Sequence, residues 1–101
     1  MSEENTLNRW RRLGRCFHTV SRLEARGSLS PDFTPADLEW MVRESGISNN
    51  ERSVLRFLLH TWNGYDNPFE LRDILGWDNQ HLRALADWIT GKADGDPVQY
   101  F

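Results

Sequence analysis

Three histidines, one cysteine and fifteen carboxylates are the side chains of this 101-residue sequence best suited to chemistry. A zinc centre needs four converging ligands, or three and a water. His18, His60 and His81 are far apart, and no two share the i, i+4 spacing that sets ligands on one helix face. Cys16 lies two residues from His18, which turns the two side chains to different sides of a helix. Beside the arginines, Cys16 reads either as a thiol of lowered pKa or as a small, half-buried helix residue. There is no glycine-rich phosphate loop and no Gly-x-Ser-x-Gly elbow. Carboxylate pairs occur on helix faces, where solvation accounts for them. No metal, no cofactor and no catalysis are therefore expected.

Size and composition narrow the class further. At 11.9 kDa the chain has room for one modest core, and a single domain over residues 1–101 is expected. A dinucleotide-binding fold or a β/α barrel needs far more chain. A lone cysteine forms no internal disulfide. With 39% hydrophobic and 27% charged residues, the composition is that of a soluble globular protein. No apolar run approaches the length of a membrane span, so no membrane partner is expected. The start, Met-Ser-Glu-Glu, lacks the apolar stretch of a signal peptide, which makes the cytoplasm the expected compartment.

The net charge of −3 hides an asymmetry. Residues 1–27 hold Arg9, Arg11, Arg12, Arg15, Arg22 and Arg26 against Glu3, Glu4 and Glu24, a balance of +3; the remainder carries −6. The Arg9–Arg15 cluster either meets a partner or pairs with the protein's own carboxylates.

The elements that must position these groups read as helices, with no strand pattern. Leu7, Trp10, Leu13, Phe17, Val20 and Leu23 recur at threes and fours, which predicts one helix from about Glu4 to Ala25, stopped by Gly27. Thr34-Pro35 opens a second helix, with Leu38, Met41 and Val42 on its core face and Gly46 at its end. Ser48 and Glu51 form a capping box for a third, buried helix reaching Trp62. Asn67-Pro68-Phe69-Glu70 reads as the start of a short fourth helix with Phe69, Leu71, Ile74 and Leu75 facing the core, ending at Gly76. Asp78 caps a fifth, in which Leu82, Leu85, Ala86, Trp88 and Ile89 repeat until Gly91. Residues 92–101 read as an extended tail. The expectation is an all-α, compact single-domain bundle of about five short helices.

Two segments suggest binding. Phe69 to Ile89 fits a helix-turn-helix frame around Gly76, with Asn79, Gln80 and Arg83 toward a DNA groove. Against this, residues 64–91 hold Asp66, Glu70, Asp73, Asp78 and Asp87 but only Arg72 and Arg83, and phosphates repel such a segment. On the charge argument, two capped helices meeting at a tight corner explain the pattern better, and direct nucleic-acid binding is not favoured. On the second helix, Asp37, Trp40 and Glu44 share one side, Glu39 flanks them, and Asp32 precedes them in the loop. Tryptophan is enriched at interface hot spots, and carboxylates select basic partners. Trp40 is thus either a docking residue or a cover over the first helix, stacked on one of its arginines. Tyr100 and Phe101 are a second aromatic pair, either exposed or tucked into a groove. Asp32, Asp37, Trp40 and Glu44 are the candidate protein-binding residues.

Phe57-Leu58-Leu59, Trp62-Asn63, Pro68-Phe69-Glu70-Leu71 and Gly76-Trp77-Asp78 resemble a pattern in small proteins carried by plasmids and phages of proteobacteria. The pattern lies within residues 57–78, on core and turn positions, and brings no catalytic residues with it. In size, acidity and helical character the chain is similar in type to the anti-CRISPR proteins. That resemblance implies a non-enzymatic inhibitor in a bacterial host cell. Its partner would be the basic nucleic-acid-binding surface of a protein complex, a type I CRISPR surveillance complex above all, whose binding of target DNA it would block. The alternative is a helix-turn-helix regulator of a phage or mobile element.

Overall fold

A computed structural model describes residues 3–44, 46–93 and 95–101. Five α-helices and one 3-10 turn follow in order: α1 (Glu3–Arg15), α2 (His18–Ala25), α3 (Pro35–Glu44), α4 (Asn49–Trp62), the turn η1 (Leu71–Ile74) and α5 (Asn79–Thr90). No strand occurs among the described residues, and the expected all-α bundle is what the chain forms. Ser45 and Asp94 lie outside the described residues; α3 closes at Glu44, just before the expected stop at Gly46.

The centre of the bundle is α4, which buries Val54, Leu55, Phe57, Leu58 and Leu59. Ser48 caps it as the sequence predicts: its hydroxyl accepts the Glu51 N–H at 3.1 Å, and Glu51 Oε1 accepts the Ser48 N–H at 2.9 Å. The other oxygen, Oε2, lies 3.7 Å from Arg22 and from Arg26 of α2. The Ser48 backbone N–H is the largest influence holding the Glu51 carboxyl below its usual range. Burial opposes it, and the Ser48 hydroxyl, Arg26 and Arg22 add to it. A carboxyl lowered on folding contributes stability above its unfolded value, here about pH 4.5, and loses it as pH falls through the folded value. The melting temperature is thus expected to fall on acidification below that point. Glu51→Gln should cost about 1 kcal/mol at neutral pH and show a shallower acid decline; melting curves followed by circular dichroism from neutral to acidic pH check both.

Around α4 the other elements set large aromatic side chains. Trp10 of α1 is wholly buried; its indole N–H donates to the Leu58 carbonyl at 3.0 Å, and its ring packs 5.3 Å from Phe33 and 5.4 Å from Trp62. Gly14 lets α1 approach closely, since a Cβ there would stand 3.3 Å from Phe33 and 3.5 Å from Leu58. Phe17, also fully buried, meets Phe57 at 5.5 Å and Trp77 at 6.1 Å.

Two helix expectations change. The single helix over 4–25 is two, because Phe17 takes an extended backbone (φ −95°, ψ 123°) that drives its ring into the core. The bonds Cys16 N–H to Leu13 and Phe17 N–H to Gly14, both 3.0 Å, tighten the end of α1 there. Cys16, at this break, is exposed rather than half-buried. The fourth helix is only the turn η1. Glu70 and Asp73 box it, with the Glu70 N–H on Asp73 Oδ2 at 2.8 Å; Ser53 of α4 takes the Asp73 carbonyl that a longer helix would need, and the Trp77 N–H closes a further tight turn on the Ile74 carbonyl. Leu71 and Leu75, expected in the core, are 76% and 79% exposed. The tail is held down at several points. The Phe101 N–H donates to the Thr61 carbonyl at 2.7 Å, the Trp88 indole to the Gln99 carbonyl at 2.8 Å, and the Tyr100 hydroxyl meets His60 Nε2 at 2.9 Å. Phe101 is tucked against the core, while Tyr100 stays half exposed.

Candidate functional site

The site is one side of α3 and the loop before it. Thr34 and Asp37 start the helix reciprocally: the Thr34 N–H donates to Asp37 Oδ2 at 2.9 Å, and the Asp37 N–H to the Thr34 hydroxyl at 3.3 Å. Pro35, at the first helical position, fits this start. Leu38 and Met41 are buried and fix α3 against the bundle, and Arg52 of α4 donates to the Val42 carbonyl at 2.8 Å. That arrangement turns Asp37, Trp40 and Glu44 outward. Trp40 is 54% exposed, a large value for an indole in so small a protein.

Arg11 and Arg15 of α1 bond backbone carbonyls beside this surface. Arg11 donates through Nε to the Phe33 carbonyl at 2.8 Å and through Nη2 to the Asp32 carbonyl at 3.0 Å. Arg15 reaches the Pro31 carbonyl at 2.6 Å, pairs with Glu24 at 3.3 Å and covers the Phe33 ring at 5.8 Å. They grip the backbone of residues 31–33 and leave the side chain of Asp32 exposed. Among the described residues no ion pair engages Asp32, Asp37, Glu39 or Glu44. The stacked arginine lies on Phe33, and among the described residues no aromatic or cation contact involves Trp40. Asp37, Trp40 and Glu44 thus stand exposed along one side of α3, whose basic residue is Arg43, and Asp32 is exposed in the loop before it. Such a face can make charge-assisted hydrogen bonds and bury a flat ring against a cationic surface.

A second constellation joins residues far apart in sequence. His81 of α5 is buried; its Nδ1 lies 2.7 Å from Asp78 Oδ1, and its Nε2 takes the Thr19 N–H at 3.0 Å and meets the Thr19 hydroxyl at 2.8 Å. These partners assign the neutral Nδ1–H tautomer, donating to Asp78 and accepting from Thr19. Hydroxyl, imidazole and carboxylate stand in the order of a nucleophilic relay. Thr19 is 2% exposed, however, and its own backbone shares the imidazole lone pair. The arrangement serves as an N-cap supplied from a distance: Phe17, at the cap position of α2, has no side-chain hydrogen bond to offer. Hydrogen bonds from the His81 backbone N–H and side chain hold the Asp78 carboxyl below its usual range. His81→Leu strands both buried Thr19 donors, and a loss of about 2–3 kcal/mol is expected. Urea unfolding of the two proteins measures it.

The segment Phe69–Ile89 is not a pair of α-helices, since its first half is the four-residue turn η1. No group of three His, Cys, Asp or Glu side chains among the described residues is placed to hold a metal ion. No described helix is long and apolar enough to cross a membrane. No protein-family model matches the chain, and no curated protein or solved structure matches it.

Proposed function

We propose that this chain is a non-enzymatic inhibitor that docks the acidic face of α3 onto the basic, nucleic-acid-binding surface of a protein complex, a type I CRISPR surveillance complex in a bacterial cytoplasm. The observation that carries the reading is the exposed Trp40 on one side of α3 with Asp37 and Glu44, Asp32 preceding them in the loop, and no ion pair on these carboxylates among the described residues. Surfaces that hold DNA are lined with arginine and lysine, and carboxylates compete with phosphates for them. Trp40 supplies the desolvated anchor that charge alone lacks. The capped start of α3 and its buried Leu38 and Met41 preorganise the face, so docking orders little further chain. The helix-turn-helix alternative loses its first helix to η1.

The test is a gel-shift of target duplex by a purified type I surveillance complex, with this protein added before or after the DNA. Added first, it is expected to abolish the shift at near-stoichiometric amounts; added last, it should act slowly or not at all. An unchanged shift in both orders contradicts the reading.

A further inference from the structure

Of the eight large apolar side chains left exposed among the described residues, five are Leu71, Leu75, Leu82, Ile89 and Tyr100; the other three are Trp40, Tyr65 and Val98. Leu71 of η1 and Leu75 just after it are 76% and 79% exposed, and Leu82, Ile89 and Tyr100 are exposed too; Leu75 edges the adjoining pocket, which shares Phe69 with the groove lined by Leu71, Ile89 and Tyr100. Leu71, Ile89 and Tyr100 rim one groove of about 160 Å³, floored by Phe57 and Trp88. On α5, Leu82, Ala86 and Ile89 recur at helical spacing as an outward stripe that continues this rim. No residue of η1 is buried; the turn is fixed by polar bonds, Ser53 to the Asp73 carbonyl at 2.6 Å among them, and so displays its leucines rather than burying them.

We propose that this chain pairs with a second copy of itself through the η1–α5 face, Leu71 of each copy entering the groove of the other. Area is the first argument. The five side chains expose on the order of 500 Å² of apolar surface, the upper part of what a monomer shows. A standard interface buries about 800 Å² per partner, roughly two-thirds of it apolar in homodimers, and so asks for about that much. Shape is the second: the groove has room for one leucine side chain, and a leucine stands on its own rim, which is the self-complementarity a two-fold contact requires. Charge is the third. Among the described residues no Asp, Glu, Lys or Arg lines the groove, and Glu70 and Arg72 on either side of Leu71 pair with each other at 2.6 Å, so no charge of one sign stands against its own image there. The α3 face has Asp32, Asp37, Glu39 and Glu44 against Arg43 and would repel its own image. The two surfaces share no residue, and pairing leaves α3 free.

Sedimentation or light scattering over a concentration series, up to about 200 μM, tests this. The wild type is expected to pass from monomer to dimer. Leu71→Glu with Leu75→Glu should weaken pairing at least about 100-fold, because burying a carboxylate without a partner is costly, while helicity and melting temperature stay unchanged. Leu71→Met should keep the dimer, and Trp40→Ala should not alter it. A wild type that stays monomeric over the whole range overturns the proposal, and so does a dimer indifferent to the double glutamate variant.

Discussion

Trp10→Ala is expected to lose about 4 kcal/mol of stability, within the usual range for removing a buried large aromatic. Trp10 is wholly enclosed by α1, the Phe33 loop and α4, and its indole N–H is bonded to the Leu58 carbonyl. Truncation leaves a cavity between Phe33 and Trp62, whose rings both lean on the indole. Domains of this size hold only about 5–15 kcal/mol in all, so the variant would stand near its threshold and lose function with its fold. Trp10→Phe keeps most of the volume. The Thr61 hydroxyl still donates to the Leu58 carbonyl, at 2.7 Å, so a milder loss of about 1–2 kcal/mol is expected. Urea denaturation followed by far-ultraviolet circular dichroism separates the two. A Trp10→Ala loss below about 1 kcal/mol would show that this ring is not the keystone of the core.

Trp40→Ala has the opposite profile. Its ring is half exposed and among the described residues no aromatic or cation contact holds it, so unfolding free energy is expected to change by less than about 0.5 kcal/mol. Affinity for the surveillance complex is expected to fall by about 30- to 1,000-fold, the equivalent of 2–4 kcal/mol at an interface hot spot. Most of that loss should appear as faster dissociation, since a central aromatic anchor governs residence more than encounter. Biosensor kinetics on the immobilised complex measure both rates. A variant that binds as tightly as the wild type removes Trp40 from the contact.

Much of this architecture is legible in local chemistry. Thr34-Pro35, Ser48 with Glu51, Asp78 and Gly91 mark helix ends by capping, and each performs that role. Gly91 sits at φ +85°, which a Cβ would strain, and Pro97 packs 3.1 Å from where that Cβ would stand. What is not legible depends on partners distant in sequence. The apolar spacing from Leu13 through Leu23 suits an unbroken helix; the break that buries Phe17 frees the Thr19 N–H, which His81, 62 positions on, takes. Phe69 to Leu75 has helical spacing too, but Ser53 of α4 takes the Asp73 carbonyl, and Leu71 and Leu75 turn outward. On α3 the spacing alone puts Asp37, Trp40 and Glu44 on one side. That the neighbouring arginines hold backbone carbonyls of residues 31–33 rather than these carboxylates depends on how α1 lies against that loop, which no local pattern specifies.

The measurement that bears most directly on the docking face is the association rate of Asp37→Lys with Glu44→Lys against a type I surveillance complex, taken across a salt series. The wild-type rate is expected to fall steeply as salt rises, and the variant to associate at least about 10-fold more slowly at low salt with little salt dependence left, its melting temperature staying close to that of the wild type. A double variant that associates as fast as the wild type, with the same salt dependence, would contradict the assignment of α3 as the surface that meets a basic partner.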